Sequence, residues 1–184
     1  SCWRTSTANR SWGAPAVDGV VVSCREEQLD EFRTLFDAAP VPVAPAPDPV
    51  PDRGPAAGLE KALEAVGAPW VAAVAGDMPF VDADLLDALF DRADAADGAV
   101  TEIGGHRQPT HAVYRTDALR LAAEDAVEHA DGSLRAILDR LDVAVVPEET
   151  ATSLTERPTF FDVNTVADLE RAAEKNGDFP TDER

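Results

Sequence analysis

The chain has 184 residues, 45% hydrophobic and 28% charged, the proportions of one soluble globular domain with room for a core. Its 35 acidic and 16 basic residues leave a formal charge of −19, which excludes a nucleic-acid binder, since such surfaces need clustered Lys and Arg. No apolar run approaches the ~20 residues of a membrane span and no charged leader precedes a hydrophobic segment, so the expected location is cytoplasmic.

Lys61 and Lys175 are the only lysines, and aspartate outnumbers glutamate. Apolar residues arranged in periodic blocks argue against disorder. A heavily hydrated acidic surface suits concentrated salt, where at ~1 M the Debye length falls to about 3 Å and self-repulsion is screened. The expectation is a halophilic source; an ordinary acidic cytosolic enzyme is the plainer alternative. Cys2 and Cys24 are the only cysteines and form no CxxC pair, which excludes a disulfide scaffold and leaves too few soft ligands for zinc. His106, His111 and His129 fall in no ligand motif.

In chain order, the β-branched run 18–24 predicts a buried strand, and 26–38 predicts a helix, with Leu29, Phe32, Leu35 and Phe36 on one face. Residues 40–55, rich in Pro, Ala and Asp, read as an extended loop with a short strand near 41–43. Pro55 at a first helical turn opens a helix to about Val66. A strand follows over 69–75, then a helix from about Asp82 that places Leu85, Leu86, Leu89 and Phe90 together. Strands at 98–103 and 110–114 flank the turn at Gly104-Gly105. Helices are expected at 116–129 and 132–141, strands at 143–146 and 160–163. A last helix starts at the capping-box-like Thr165-Val-Ala-Asp168, and a polar tail follows Asn176. This alternation predicts a three-layer α/β/α fold with a mainly parallel sheet.

Ligands of open α/β sheets bind at the carboxyl ends of strands. Gly76-Asp77-Met78-Pro79 follows the most apolar strand, so Asp77 places a carboxylate at a strand mouth, where Mg²⁺ and phosphate oxygens could share it. A turn cap explains Asp77 equally well. Gly54 and Gly58 flank a helix start whose free N–H groups favour an anion, though an ordinary loop-to-helix junction also fits. His106-Arg107-Gln108-Pro109-Thr110-His111 is a polar stretch running into a strand. Asp162 and Asn164 point the same way on an extended segment, and capping alone would explain Asn164 and Thr165.

In this order, DRGPAAGL, VAAVAGDMPFVDADLLDAL, RQPTHAVYR and FDVNTVADLERA resemble the molybdenum cofactor guanylyltransferases, of the nucleotide-diphospho-sugar transferase-like fold. The resemblance runs from about Val17 to Lys175, and GDMPFV with DVNTVADL is its most specific part. It implies transfer of GMP from GTP to molybdopterin or molybdenum cofactor with release of pyrophosphate, Mg²⁺ as cofactor, and proteins of the same pathway as partners. By the resemblance, Asp77 holds the Mg²⁺ beside the triphosphate. Ser23, Arg25, Asp48 and Gly54 lie with the nucleotide. Gln108, Pro109 and Thr110 form a loop on the pterin side, with Asp162 and Asn164 near the pterin or a second metal contact. The alternatives are transfer to a sugar phosphate or cobinamide phosphate, or a non-catalytic pterin-binding adaptor.

One departure is large. The family opens with a strand and a glycine-rich loop of the type LAGGxSxRxGxDK, whose amides and basic side chains cradle the triphosphate. Residues 1–13 carry no such strand, loop or Lys, and the spacing of Arg4 and Arg10 does not match. The expectation is an atypical leader over 1–13, a nucleotidyltransferase-like domain over 14–176 and a tail over 177–184. A misplaced start or a truncated chain would account for the departure, with an exposed central sheet edge and an impaired enzyme as consequences.

Overall fold

The computed structural model describes residues 2–6, 17–37, 39, 41–48, 54–129, 131–155 and 158–177. Arg10, Asp52, Arg53 and the tail from 178 lie outside the described residues, as do the side chains of Arg4 and Leu35. The strands are β1 (Cys2–Ser6), β2 (Gly19–Arg25), β3 (Val43–Asp48), β4 (Trp70–Val74), β5 (Gly98–Ile103), β6 (His106–Arg115) and β7 (Val143–Pro147). The helices are α1 (Leu29–Asp37), α2 (Pro55–Glu64), α3 (Ala83–Ala93), α4 (Thr116–His129), α5 (Leu134–Leu138), α6 (Glu148–Ser153) and α7 (Val166–Gly177).

The seven strands form one sheet in the order β3-β2-β1-β4-β6-β5-β7. Pairing is parallel for β2 with β3 and β5 with β7, and antiparallel for the rest. Because β1 and β6 each reverse the sense, β2, β3, β4, β5 and β7 all point the same way. The sheet is therefore mainly parallel in direction although most neighbours are antiparallel.

Strand alternation divides the core between the two faces. Val71 and Ala73 of β4 join a cluster with Leu59 and Leu63 of α2, Leu119 and Ala123 of α4, and Ile137 of α5. Ala72 and Val74 face the other way, onto Leu85, Leu86 and Leu89 of α3 and Ala151 of α6. Three layers result, as the alternation predicts. Each fully buried leucine contributes about 1.5–3 kcal/mol relative to exposure. Among these are Leu63, Leu85, Leu86, Leu89 and Leu119.

Several expectations need correction. The N-terminal segment does form a strand, and β1 fills the centre of the sheet, with Cys2 opposite Val22 on one side and Val74 on the other. The exposed central edge expected from its absence does not arise. The proline-rich stretch contains a full strand, β3, rather than a loop with a short strand near 41–43. Pro45 and Pro47 are two apart, so their missing donors face the same side, and an edge strand has one side without a ladder. The segment 160–163 is turn and coil rather than strand. The helix expected at 132–141 shrinks to α5, capped by the Ser133 hydroxyl on Ala136 N–H at 3.1 Å.

Candidate functional site

The carboxyl ends of β2, β3 and β4 lie at one end of the sheet, and reversal brings the first residues of β6 to the same end. Register sets Arg25 beside Asp48, His111 beside Val74, and Arg107 beside Glu102. All the residues expected to contact ligand occupy this end, in three groups.

The first group is built on the turn after β4. Met78 N–H donates to Ala75 O at 3.3 Å, closing a turn that leaves Asp77 exposed. The Asp77 carbonyl accepts from Val163 N–H at 2.8 Å, joining the turn to the segment carrying Asp162 and Asn164. Asn164 Nδ2 donates to Asp162 Oδ2 at 2.6 Å, so these two exposed side chains do face each other. Phe80 packs against Phe161 with ring centroids 6.0 Å apart. Beyond Asn164 the expected capping box is complete: Asp168 N–H donates to Thr165 Oγ1 at 3.1 Å, and Thr165 N–H to Asp168 Oδ2 at 2.9 Å. The Thr165 hydroxyl and the Arg171 guanidinium hold the Asp168 carboxyl below its ordinary range.

The second group lies at β2, β3 and the start of α2. A Cβ placed on Gly58 would stand 2.9 Å from Ser23 Oγ and 3.9 Å from Asp48 Oδ2, so glycine lets the helix approach both side chains. Arg25 is exposed beside Glu27, at 3.9 Å. Gly54 has φ +84°, and a Cβ there would press on Gly132 O at 3.0 Å. The free amides expected at this helix start are partly occupied. Pro55 has no N–H, Ala56 donates to Gly132 O at 3.0 Å and Ala57 to Gly54 O at 3.3 Å.

The third group corrects another expectation. Gln108, Pro109 and Thr110 are not a loop but lie within β6, which begins directly after the Gly104-Gly105 turn. Gln108 Nε2 donates to His106 O at 3.1 Å, and the buried Tyr114 hydroxyl to Pro109 O at 3.0 Å. Beside them is a cleft of about 380 Å³ lined by Glu102, His106, Arg107, Pro109, Arg135 and Asp139. Arg107 and Arg135 bring two guanidiniums to it, alongside the carboxylates of Glu102 and Asp139. Sequence reading misses Arg135, because nothing in its neighbourhood announces that α5 folds back onto the β5–β6 turn. His111, which belongs to no ligand motif, is fully buried and bonded through Nε2 to Thr159 Oγ1 at 3.1 Å.

Among the described residues no three His, Cys, Asp or Glu side chains converge as a metal cage. A cation such as Mg²⁺ takes one or two carboxylates and completes its shell with phosphate oxygens and water. Asp77 is exposed, with the exposed Asp162 one residue from the bond to its carbonyl, and each carries a carboxylate of the kind such an ion takes.

Comparison with known proteins agrees with this architecture. The family described as MobA-like NTP transferase domain matches residues 10–177. A probable molybdenum cofactor guanylyltransferase of Natronomonas pharaonis is 38% identical over 161 residues, covering 86% of this chain and 78% of that protein. Its counterpart in Haloferax mediterranei is 29% identical over 155 residues, covering 84% and 73%. Molybdopterin-guanine dinucleotide biosynthesis protein A from Archaeoglobus fulgidus superposes with a TM-score of 0.66 at 26% identity, covering 86% of this chain and 79% of that one. A 4-diphosphocytidyl-2C-methyl-D-erythritol synthase from Anaerococcus prevotii, 12% identical, shares the fold with a TM-score of 0.65 over 88% and 82% of the two chains. With the family matched over residues 10–177 and a relative 38% identical over most of both chains, the chain belongs to the MobA-like NTP transferase domain family of nucleotidyltransferases.

Proposed function

We propose that the protein transfers GMP from GTP to molybdopterin or molybdenum cofactor and releases pyrophosphate. The observation that carries the reading is the 2.8 Å bond from Val163 N–H to Asp77 O, which makes the GDMP turn and the DVNT segment one unit. The names of the relatives support the same reaction. An oxygen of the acceptor's terminal phosphate forms a bond to the α-phosphorus of GTP, and the bond from that phosphorus to the bridging oxygen breaks. Such a monoester is largely dianionic near neutral pH, so no side chain has to remove a proton. The protein's work is positioning and charge neutralisation.

In this reading Asp77, with Asp162, would hold a Mg²⁺, which would offset phosphate charge. Ser23, Arg25, Asp48 and Gly54 serve the nucleotide side, while Gln108, Pro109, Thr110, Asp162 and Asn164 serve the acceptor side. Arg107 and Arg135 add two guanidiniums suited to the acceptor phosphate. The setting proposed is a salt-rich cytoplasm shared with other enzymes of the same pathway. Asp77→Ala, made in a chain that carries the family's glycine-rich loop, tests the reading: transfer at high GTP and Mg²⁺ should fall by at least about a hundredfold, with circular dichroism and melting temperature unchanged. Parental turnover in the variant would remove Asp77 from the site.

A further inference from the structure

We propose that His111 and Thr159 are a positioning pair that holds the Asp162–Asn164 segment against the Asp77 turn and so sets the acceptor side of the site. The inference rests on the reading of that segment as acceptor-binding surface.

The geometry is a chain of buried contacts that closes on the site. His111 lies on β6 opposite Val74, three residues before Asp77. Its backbone is fixed by Thr101 Oγ1, which donates to His111 O at 3.1 Å. Its ring packs against Phe160 at a tilt of 52° with centroids 4.9 Å apart, and its Nε2 meets Thr159 Oγ1 at 3.1 Å, with His111 and Thr159 both fully buried. Thr159 Oγ1 also accepts Asp82 N–H at 3.3 Å, and Asp82 Oδ2 accepts from Thr155 Oγ1 at 2.8 Å. The segment that begins at Thr159 is thus anchored to the sheet at one end and to Asp77 O, through Val163, at the other.

The imidazole's protonation state follows from the same contacts. Burial pushes it down to about 4, so it is neutral near pH 7. Thr159 Oγ1 accepts from Asp82 N–H and keeps a second lone pair and its own hydrogen, so it bonds Nε2 in either neutral tautomer. The other ring nitrogen, Nδ1, is buried and has no partner among the described residues. An orphaned buried polar atom is unfavourable, and leucine would fill similar space without one. What histidine adds at this position is therefore the bond to Thr159 rather than core stability.

The test compares His111→Leu, His111→Gln, Thr159→Val and Thr159→Ser in the full chain. Hydrogen exchange reads the Val163 amide directly and needs no activity. His111→Leu and Thr159→Val should speed its exchange at least about tenfold, the equivalent of one ordinary hydrogen bond, and leave the β4 amides unchanged. In transfer assays the same variants should raise the KM for molybdopterin about tenfold, leave the KM for GTP within about twofold, and melt close to the parent. His111→Gln and Thr159→Ser, which keep a polar partner, should restore both readouts. Unchanged Val163 exchange, or an equal rise in both KM values, would overturn the inference. A parent chain that transfers nothing even with the family's glycine-rich loop in place would count against the guanylyl-transfer reading alone, and the exchange comparison would still decide the role of the pair.

Discussion

Burial of His111 has a consequence for stability as well as for geometry. The folded chain keeps the imidazole neutral down to about pH 4, whereas an unfolded chain protonates it from its ordinary value of 6.5. Between those values the unfolded state binds more protons, so this contribution is complete above about 6.5 and declines as pH falls towards 4. At pH 5 the loss amounts to about 2 kcal/mol. Urea unfolding of the parent and His111→Leu at pH 7 and pH 5 checks it: the parent should lose about 2 kcal/mol more than the variant. Equal losses would assign the acid sensitivity elsewhere. Residues differ in how far sequence alone reveals them. Asp77 is legible because a carboxylate straight after an apolar strand of an α/β sheet falls at the strand mouth, where ligands bind. His111 is not, because its partner Thr159 lies 48 positions away and no periodicity links them. The approach of Gly58 to Ser23 and Asp48 is hidden for the same reason.

At the scale of elements, amphipathic helices and apolar strands are the parts that pattern reveals. The apolar face of α3 and the continuous run in β4 each match one period, and both form where expected. What pattern misses depends on neighbours. Prolines that would break a central strand are tolerated in β3 because, among the described strands, it pairs only with β2. The polar start of β6 becomes strand because the Gly104-Gly105 turn, with φ of +58° and +77°, feeds it straight back along β5. The β5–β6 contact also depends on a missing side chain. A Cβ on Gly98 would stand 2.3 Å from Val113 O and 2.9 Å from the Tyr114 ring, contacts that real structures do not contain. Gly98→Ala should therefore cost about 1–3 kcal/mol, lowering the melting temperature by roughly 2–12 °C for a chain of this size. Gly67→Ala is the control, since a Cβ there meets nothing within 4 Å. Equal melting of the two variants would show that β5 shifts to accommodate the methyl group.

For the whole molecule, strand–helix alternation is enough to read a three-layer α/β fold, but not the sense of its strands, which depends on long-range pairing. Charge acts at this scale too. With a net −19 on the chain, molar salt should raise the melting temperature by screening self-repulsion; a midpoint that stays flat or falls across a salt series would contradict the halophilic reading. The direction of β1 bears on nucleotide binding. The resemblance implies a first strand whose following glycine loop cradles the triphosphate, yet β1 ends at Ser6 opposite Trp70, the far end of β4 from Asp77. β1 therefore ends at the opposite end of the sheet from Asp77, and the sequence holds no GGxSxRxGxDK. Of the three groups the resemblance assigns to the triphosphate — loop amides, a basic pair and an aspartate-held metal — only the aspartate has a counterpart. Charge-assisted hydrogen bonds contribute about 1.5–3 kcal/mol each, so loss of two weakens binding by roughly two to four orders of magnitude. The acidic surface supplies no general attraction for a polyanion to offset that loss. Calorimetry with GTP and Mg²⁺ on the 184-residue chain should accordingly find at best weak binding, and replacing residues 1–16 by a first strand that runs with β4 and is followed by the glycine-rich loop should restore it. Micromolar affinity in the ungrafted chain would overturn this and move the phosphate grip to other cations, with Arg107 and Arg135 the first to replace by alanine.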